Sequence, residues 1–337
     1  ESPLTCYVAA LADQLEHNPV KIFEYVRNEC VYEPYFGSVK GAERALIEKA
    51  GNDLDLASAL VALLRASGIP SRYTYGTVEL TASEAGKWTG IDDPQQMVKM
   101  LTGNGIPHQL EFSGGTIGKF KIDHVWVKCY LDYFPYRGPV QEQADSWIEL
   151  DASFKQNVFT GGRDIDAAVG LNPLALRTNI IANSTVDPAG NYATNVPEAF
   201  ILSQLASYSD AVRNYLAANN LAAETAFRQR KVSEERFGIL PAADQYRILA
   251  RGISFNAIPP ELSQKVTLSV QSLNGTESFS VTMPLVEVAG RRVTLSYRPE
   301  TADDLAVIQA NAAEAEFPAY LVSVVPELRV GEAVKAT

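Results

Sequence analysis

The chain has 337 residues, more than one average domain, which predicts at least two domains. Hydrophobic residues make up 46% and charged residues 20%, as in globular proteins with a sizeable core. The net charge of −11 argues against nucleic acid as a partner because phosphates carry the same sign, and no run of about 18 apolar residues predicts membrane insertion.

Helices are predicted throughout the first hundred residues. Asn18 before Pro19 is typical of a helix start, with an N-cap followed by proline in the first turn. The segment from Asp53 to Ala66 has a continuous apolar stripe and no internal Gly or Pro, and Gly68 then ends it. The predicted helices are 20–28, 42–50, 53–66 and one near 94–102.

Strands are predicted where β-branched and aromatic residues alternate with other residues. These strands are 72–80, 124–131 and 146–151. The mixed, Gly-rich stretch 81–120 is a long insertion, which predicts a lid or binding loop. Residues 155–196 are predicted to be loop-rich and residues 197–231 helical.

The last hundred residues have the two-residue period of strands. Asn274-Gly275 is a strong hairpin signal between two alternating segments. The predicted elements are strands 266–270, 279–283 and 291–297, a helix 302–315, and strands 320–325 and 328–334. The fold class is therefore α+β, with a core at 1–160, a loop and helical connector at 161–231, and a smaller, mainly-β domain at 232–337.

Three groups with potential chemistry occur in a suggestive order. Asp53 opens a buried helix, His124 lies in a strand, and Asp151 closes the next strand. This is the order of a nucleophile, base and orienting acid, in which the helix N-terminus would stabilise an anion at position 53. His124 would move protons and Asp151 would fix its tautomer.

Metal and cofactor chemistry is not predicted. The chain has three cysteines and three histidines, and no cysteine pair has metal-ligand spacing. Gly114-Gly115 and Gly161-Gly162 lack the lysine and strand context of a phosphate loop. Cys129 lies five residues after His124, so it points to the other face of the strand and is predicted to be core, as is Cys30.

These motifs resemble those of the transglutaminase-like superfamily, which has a papain-like fold. The superfamily pattern has a Cys at a helix start, an Asp and a small residue shortly after it, then LLRAxGIPxR, HxW and W…LD. The matching residues here are Asp55, Ala57, Leu63 to Arg72, His124, Trp126, Trp147, Leu150 and Asp151. The match covers less than half of the chain, but its motifs occur in the family order.

The resemblance implies a role for each matching position. His124 and Asp151 take the base and orienter positions, with Asp55, Trp126 and Trp147 in support. The family's nucleophilic Cys falls on Asp53. A Cys-lacking subgroup in large bacterial proteins with RHS/YD-type repeats has a similar stretch, which here reads GNDLDLASALVALLRASGIPSRYTYGTVE and later LDASFKQ. Loss of the Cys is then a trait of the subgroup.

Asp53 has several possible roles. Attack on an amide by a carboxylate would form a mixed anhydride, which is far less accessible than a thioester. Asp53 could instead act as a general base on water beside Asp55, or form a static ion pair with protonated His124. As a plain alternative, Asp53 is a good helix N-cap and Asp55 suits the first helical turn.

Three functions follow from these observations. One is an enzyme, an amide hydrolase or acyltransferase that uses Asp53, His124 and Asp151. Another is a peptide- or protein-binding module, with residues 81–120 providing specificity. The third is a structural domain of a large secreted or cell-surface protein, because both chain ends resemble interior sequence. Its partners would then be other domains of a longer parent chain.

Overall fold

The structure is a computed structural model that describes residues 4–187, 192–227, 229–241, 245–271, 277–312 and 318–336. It divides into two compact units. The first contains residues 1–156 and 232–337, and the second contains residues 157–231. The predicted α+β class is confirmed, because helices and antiparallel strands are mixed through the first unit.

The N-terminal part of the first unit follows the predicted order of helices and strands. Its elements are α1 (Cys6–Gln14), α2 (Pro19–Glu29), β1 (Val31–Tyr32), α3 (Gly41–Glu48), β2 (Ala50–Gly51), α4 (Asp53–Ala66), β3 (Ser71–Thr81), α5 (Ala82–Thr89), α6 (Pro94–Gly103), β4 (His108–Ser113), β5 (Thr116–Leu131) and β6 (Ser146–Leu150).

Asparagine side chains fix the starts of the two helices that matter most for the site. Asn18 caps α2 by accepting from the backbone N–H groups of Val20 and Lys21, as predicted. Asn52 caps α4 by accepting from the N–H of Asp55 at 2.8 Å. The expectation that Asp53 is the N-cap is therefore wrong, since Asp53 is the first residue inside the helix.

The central sheet is antiparallel, with β3 and β5 in its middle. In the β3–β5 pair, Gly76 lies opposite His124, and in the β5–β6 pair Val127 lies opposite Leu150. Strand β4 pairs with the first half of β5. Because β6 also pairs with β5, the residue that follows β6, Asp151, lies near the middle of β5.

Two apolar clusters lie on the two faces of this sheet. Every residue of α4 from Leu54 to Leu64 is buried, because α1, α2 and α3 cover the helix on its other sides. The α4 face of the sheet contributes alternate residues of β5, among them Val127 and the buried Cys129. The second cluster packs Trp88 and Trp126 with residues of α6.

The insertion 81–120 contains two helices and a hairpin, and the helix predicted near 94–102 is confirmed as α6. A lid or binding role for the insertion stays a prediction. Thr81 and Glu84 form a capping box that starts α5. Helices α5 and α6 bury Trp88 and Leu101, and the remainder is the β4–β5 hairpin, whose turn is Gly114-Gly115 with positive φ at both residues. Other glycines of the segment lie inside regular elements, Gly86 in α5, Gly103 in α6 and Gly118 in β5, so the Gly-rich composition does not prevent regular structure.

The C-terminal part of the first unit contributes an extra strand to the central sheet. Its elements are β11 (Arg247–Phe255), β12 (Lys265–Gln271), β13 (Glu277–Pro284), α11 (Leu285–Val288), β14 (Val293–Pro299), α12 (Ala302–Ala310), β15 (Val324–Val330) and β16 (Ala333–Ala336). Strand β11 pairs with β3 across two register shifts. The predicted domain 232–337 therefore begins with a strand that lies in the core sheet.

The predicted small β unit is confirmed in the remaining residues. Strands β12 and β13 form one antiparallel pair and β14, β15 and β16 form a second sheet, with Met283, Leu328 and Val330 buried among them. The predicted hairpin at Asn274-Gly275 lies outside the described residues. The last two strands begin and end a few residues later than predicted.

The second unit contains more regular structure than the loop-rich prediction allowed. Its elements are β7 (Asn157–Thr160), α7 (Ile165–Val169), α8 (Pro173–Ala182), β8 (Thr185–Asp187), β9 (Tyr192–Thr194), α9 (Glu198–Ala218), α10 (Ala223–Ala226) and β10 (Gln229–Val232). A small core of Ile165, Val212 and Ala226 joins α7, α9 and α10.

Candidate functional site

The structure brings Asp53, His124 and Asp151 together. The Nδ1 atom of His124 lies 3.2 Å from Oδ2 of Asp53, and its Nε2 atom lies 2.7 Å from Oδ2 of Asp151. The first turn of α4, the middle of β5 and the end of β6 supply one residue each. A single imidazole ring thus bridges two carboxylates that are 98 positions apart in the chain.

Asp53 is directed at the sheet. Besides facing His124, its Oδ2 atom accepts a hydrogen bond from the backbone N–H of Val125 at 2.9 Å. The carboxylate therefore fastens the N-terminus of α4 to β5. The positive end of the helix dipole also favours a negative charge at this position.

Asp151 accepts hydrogen bonds on both oxygens. Its Oδ1 atom accepts from the N–H and hydroxyl of Ser153 and from the N–H of Phe154, and its Oδ2 atom accepts from the hydroxyl of Tyr246 at 2.8 Å. Burial disfavours the carboxylate, but the charge of His124 and these hydrogen bonds lower the pKa of Asp151 to about 2. Asp151 is therefore an anion at neutral pH.

His124 is held as a cation. Its side chain is 1% exposed, and this burial by itself lowers its pKa. The charges and hydrogen bonds of Asp151 and Asp53 outweigh burial and raise the pKa of His124 to about 10. Both ring nitrogens face carboxylate oxygens, so both carry protons at neutral pH and neither can accept another one.

Aromatic side chains enclose this ion network. The rings of Trp88 and Tyr246 meet the imidazole edge-on at centroid distances of 5.2 and 5.7 Å, and Trp126 lies roughly parallel to it at 6.4 Å. The indole N–H of Trp88 donates to the carbonyl of Ser153. The cavity beside Trp126, Asp151 and Tyr246 measures about 10 Å³, room for about one water molecule and none for a peptide.

Of the two tryptophans predicted to support the site, one lies beside His124 and the other does not. Trp126 lies beside His124, and its indole N–H donates to Glu149 at 3.1 Å. Trp147 lies elsewhere, partly exposed, with the Arg72 guanidinium 4.1 Å from its ring centre. Distance along the strand explains the difference, since Trp147 pairs with Tyr130 near the end of β5, whereas His124 lies in the middle of that strand.

Asp55 is buried but serves a loop. Its carboxylate accepts from the hydroxyls of Tyr35 and Ser38 and from the backbone N–H groups of Val39, Lys40 and Gly41. Burial raises the pKa of Asp55, although these hydrogen bonds act in the opposite direction. Asp55 therefore orders the chain before α3, and the expectation that it assists Asp53 in activating water is not supported by this geometry.

The cysteines offer no thiolate near His124. Cys30 and Cys129 are buried, and burial raises the pKa of their thiols to about 11 and about 12. Cys6 is exposed on α1. Cys129 packs under α4, as its position five residues after His124 predicted.

Lys155 supports the site from behind, a role that the sequence did not suggest. Its fully buried ammonium donates to the carbonyls of Val26, Arg27 and Ala152 at 2.8, 2.5 and 2.7 Å. Burial lowers the pKa of Lys155 to about 7. The contact ties the loop after Asp151 to the end of α2. The motif LDASFKQ contains this residue, but its spacing does not reveal the contact.

A second histidine makes contacts that resemble a catalytic arrangement. His17 lies 3.2 Å from the Ser67 hydroxyl and 2.8 Å from Asp13. The hydroxyl of Ser67, however, donates to the carbonyl of Leu63 at 2.9 Å. The serine proton is thus not directed at the imidazole, and a nucleophile is not formed.

In the described part of the chain, no group of three or more His, Cys, Asp or Glu residues could hold a metal ion. Within the same residues, no helix is both long and apolar enough to span a membrane.

An α+β fold with a buried helix whose first turn faces a His–Asp pair on neighbouring strands is that of papain-like domains. Residues 7–152 match the family model of the transglutaminase-like superfamily, and this part of the chain is a transglutaminase-like domain. The matched segment contains Asp53, His124 and Asp151, whereas Tyr246 lies outside it. Neither the curated proteins nor the solved structures gave a match.

The charged state of His124 predicts a pH-dependent contribution to stability. Its pKa is about 10 in the folded protein and 6.5 in the unfolded chain, so between these values the folded state binds more protons. The stabilisation is complete below pH 6.5 and declines as pH rises toward 10. We expect the stability advantage of wild type over His124→Gln to fall by roughly 2 kcal/mol between pH 6.5 and about 8.5.

Urea unfolding of both proteins at the two pH values measures this difference. Lys155, whose pKa lies near 7, titrates in both proteins, so subtraction removes its effect. An advantage that stays constant with pH would mean that His124 is not held as an imidazolium.

Proposed function

We propose that the transglutaminase-like domain lacks thiol-dependent acyl transfer because Asp53 occupies the nucleophile position and locks His124 as a cation. The observation that carries the proposal is the 3.2 Å contact between the Asp53 carboxylate and Nδ1 of His124. In this role the three residues form a structural ion network that joins α4, β5 and the end of β6.

The chemistry of acyl transfer supports this assignment. A triad histidine must take a proton from the nucleophile and later return it to the leaving group. His124 is already doubly protonated at neutral pH and has no lone pair to offer. The Oδ2 atom of Asp53 already accepts a hydrogen bond from Val125 and faces His124.

The alternative is amide hydrolysis by Asp53, His124 and Asp151. Its support is that Asp53 remains 16% exposed, so that a water molecule has access to one member of the network. Against it, the base would be a carboxylate that is already ion-paired, and Asp55 is directed elsewhere. We therefore favour the inactive domain.

The same closure argues against a peptide groove at this position. Trp88 from the insertion and Tyr246 from beyond the family match both cover His124. Trp88 lies inside the matched region and Tyr246 outside it, so a residue beyond the family match also covers the place where substrates would enter. We propose a structural domain of a large secreted or cell-surface protein, of the Cys-lacking, RHS-associated bacterial kind, whose protein contacts lie away from the cleft.

An activity assay tests the proposal. Wild type and His124→Gln would be incubated with a peptide amide, and with a glutamine donor plus a primary amine. We expect no release of ammonia and no transamidation by either protein above the buffer rate. Turnover by wild type that His124→Gln loses would overturn the inactive assignment and establish the alternative.

The proposed context has a separate test. The sequence that flanks this segment in its parent chain is expected to contain repeats or further domains. A parent chain without either would contradict the structural role in a large protein and leave the assignment of activity untouched.

A further inference from the structure

Helix α8 in the second unit buries none of its side chains. The helix has ten residues, and Leu174 and Ile181 are 68% and 48% exposed. Helices of this length are marginal in water, and most of their stability comes from packing of an apolar face. An apolar helix without a packed face indicates that a partner covers it.

Helix α9 presents a second uncovered surface. It has 21 residues, of which Val212 is the buried one, and Leu202 and Leu205 are exposed. A groove of about 370 Å³ separates α8 from α9. Its lining is mixed, with Leu171, Leu176 and Phe200 beside Asn172, Asn179 and Gln204. The two helices therefore present apolar projections beside a groove that is lined by both apolar and polar side chains.

Charge distinguishes this surface from the rest of the chain. Residues 171–209 contain three charged side chains, Arg177, Asp187 and Glu198. Residues 157–231 contain six basic and six acidic residues, so the net charge of −11 lies entirely outside them. Two copies of the chain, each with a net charge of −11, repel each other overall, and the second unit adds nothing to that repulsion.

We infer that the α8–α9 surface is a self-association site, and that its occupant is the same surface of a second copy of this chain. Leu174 and Ile181 are seven residues apart and share one face of α8, while Ala175 and Leu176 line the groove. Projections and groove on the same two helices suit an isologous contact, in which each copy supplies both halves.

Sedimentation velocity of the 337-residue protein, from about 1 to 100 µM, tests the inference. We expect a monomer–dimer equilibrium that is maintained at high salt, since apolar contacts are not screened. Leu174→Asp in α8 and Leu202→Asp in α9 are each expected to weaken the dimer at least tenfold. Because the two variants lie in different helices, weaker dimerisation in both cannot be explained by local unfolding of only one helix.

Matched controls carry the same substitution at exposed apolar positions of the first unit. Phe112→Asp and Ile253→Asp add the same charge and should leave the dimer unchanged. A wild-type protein that is monomeric throughout the range would overturn the inference, whether it then binds lipid vesicles or another protein. A dimer that the controls weaken as much as Leu174→Asp does would overturn it as well.

Discussion

Replacement of His124 by alanine is expected to lower the free energy of unfolding by about 3 to 5 kcal/mol. The substitution removes the positive charge that lies between Asp53 and Asp151. Asp151 is buried and would lose the cation that contacts it directly, while Ser153 and Tyr246 provide hydrogen bonds alone. Urea unfolding followed by tryptophan fluorescence measures the loss.

His108→Ala is the matched control. His108 lies at the start of β4, is only partly buried, and contacts a backbone carbonyl instead of a carboxylate. It should cost less than about 1 kcal/mol. If His124→Ala is equally mild, the three residues do not form a stabilising network and the structural role fails.

The parts of the fold that could be predicted are those with a local physical cause. Asn18-Pro19 starts α2 because both residues suit a helix N-terminus wherever they occur. The apolar stripe of α4 and the alternation of β3 required no knowledge of distant residues. The convergence of Asp53, His124 and Asp151 followed from motif order, since neighbouring elements in this fold place those positions together.

The role of Asp53 could not be decided locally. Asn52 and Asp53 are both good N-caps, and no local rule selects between them. Tertiary contacts decide, because Val125 and His124 draw the carboxylate of Asp53 toward β5. The same limit applies to Asp55, whose five partners belong to the preceding loop.

The closing strand was missed for a different reason. Strand β11 joins β3 from far along the chain, with Arg251 opposite Gly76, and two register shifts interrupt its alternation. The pairing requires glycine at position 76, where a Cβ atom would lie 2.3 Å from the carbonyl oxygen of Ala250. Nothing in the local sequence distinguishes Gly76 from other strand residues, so its pairing could not be predicted. Tyr246, whose ring contacts His124, lies directly before β11 and was missed with it.

The distribution of exposed surface links the two proposals. Trp88 and Tyr246 of the first unit cover His124, whereas α8 of the second unit buries none of its side chains. Under the two proposals, the chain would associate through the second unit and would perform no acyl transfer at His124. The two proposals can still fail separately, since activity and dimerisation are measured independently.

Asp53→Cys, in a Cys6→Ser background, is expected to produce a thiol that is reactive below neutral pH. The new side chain would start α4 and face the imidazolium of His124, and both features stabilise a thiolate. Alkylation by iodoacetamide at pH 6.5 should be at least about tenfold faster than at an ordinary exposed cysteine. In this background the two remaining native thiols, Cys30 and Cys129, are buried, so the reagent is expected to alkylate position 53.

Two comparisons give this experiment its meaning. Ser113→Cys in the same background provides an exposed thiol on β4, with neither a helix start nor an ion-paired imidazole beside it. Asp53→Cys combined with His124→Gln should lose the added reactivity. A rate for Asp53→Cys that rises with pH as it does for Ser113→Cys would show that His124 does not activate this position. Asp53 is 16% exposed, so a small reagent can reach position 53, and its reactivity reports the geometry around His124 apart from peptide access.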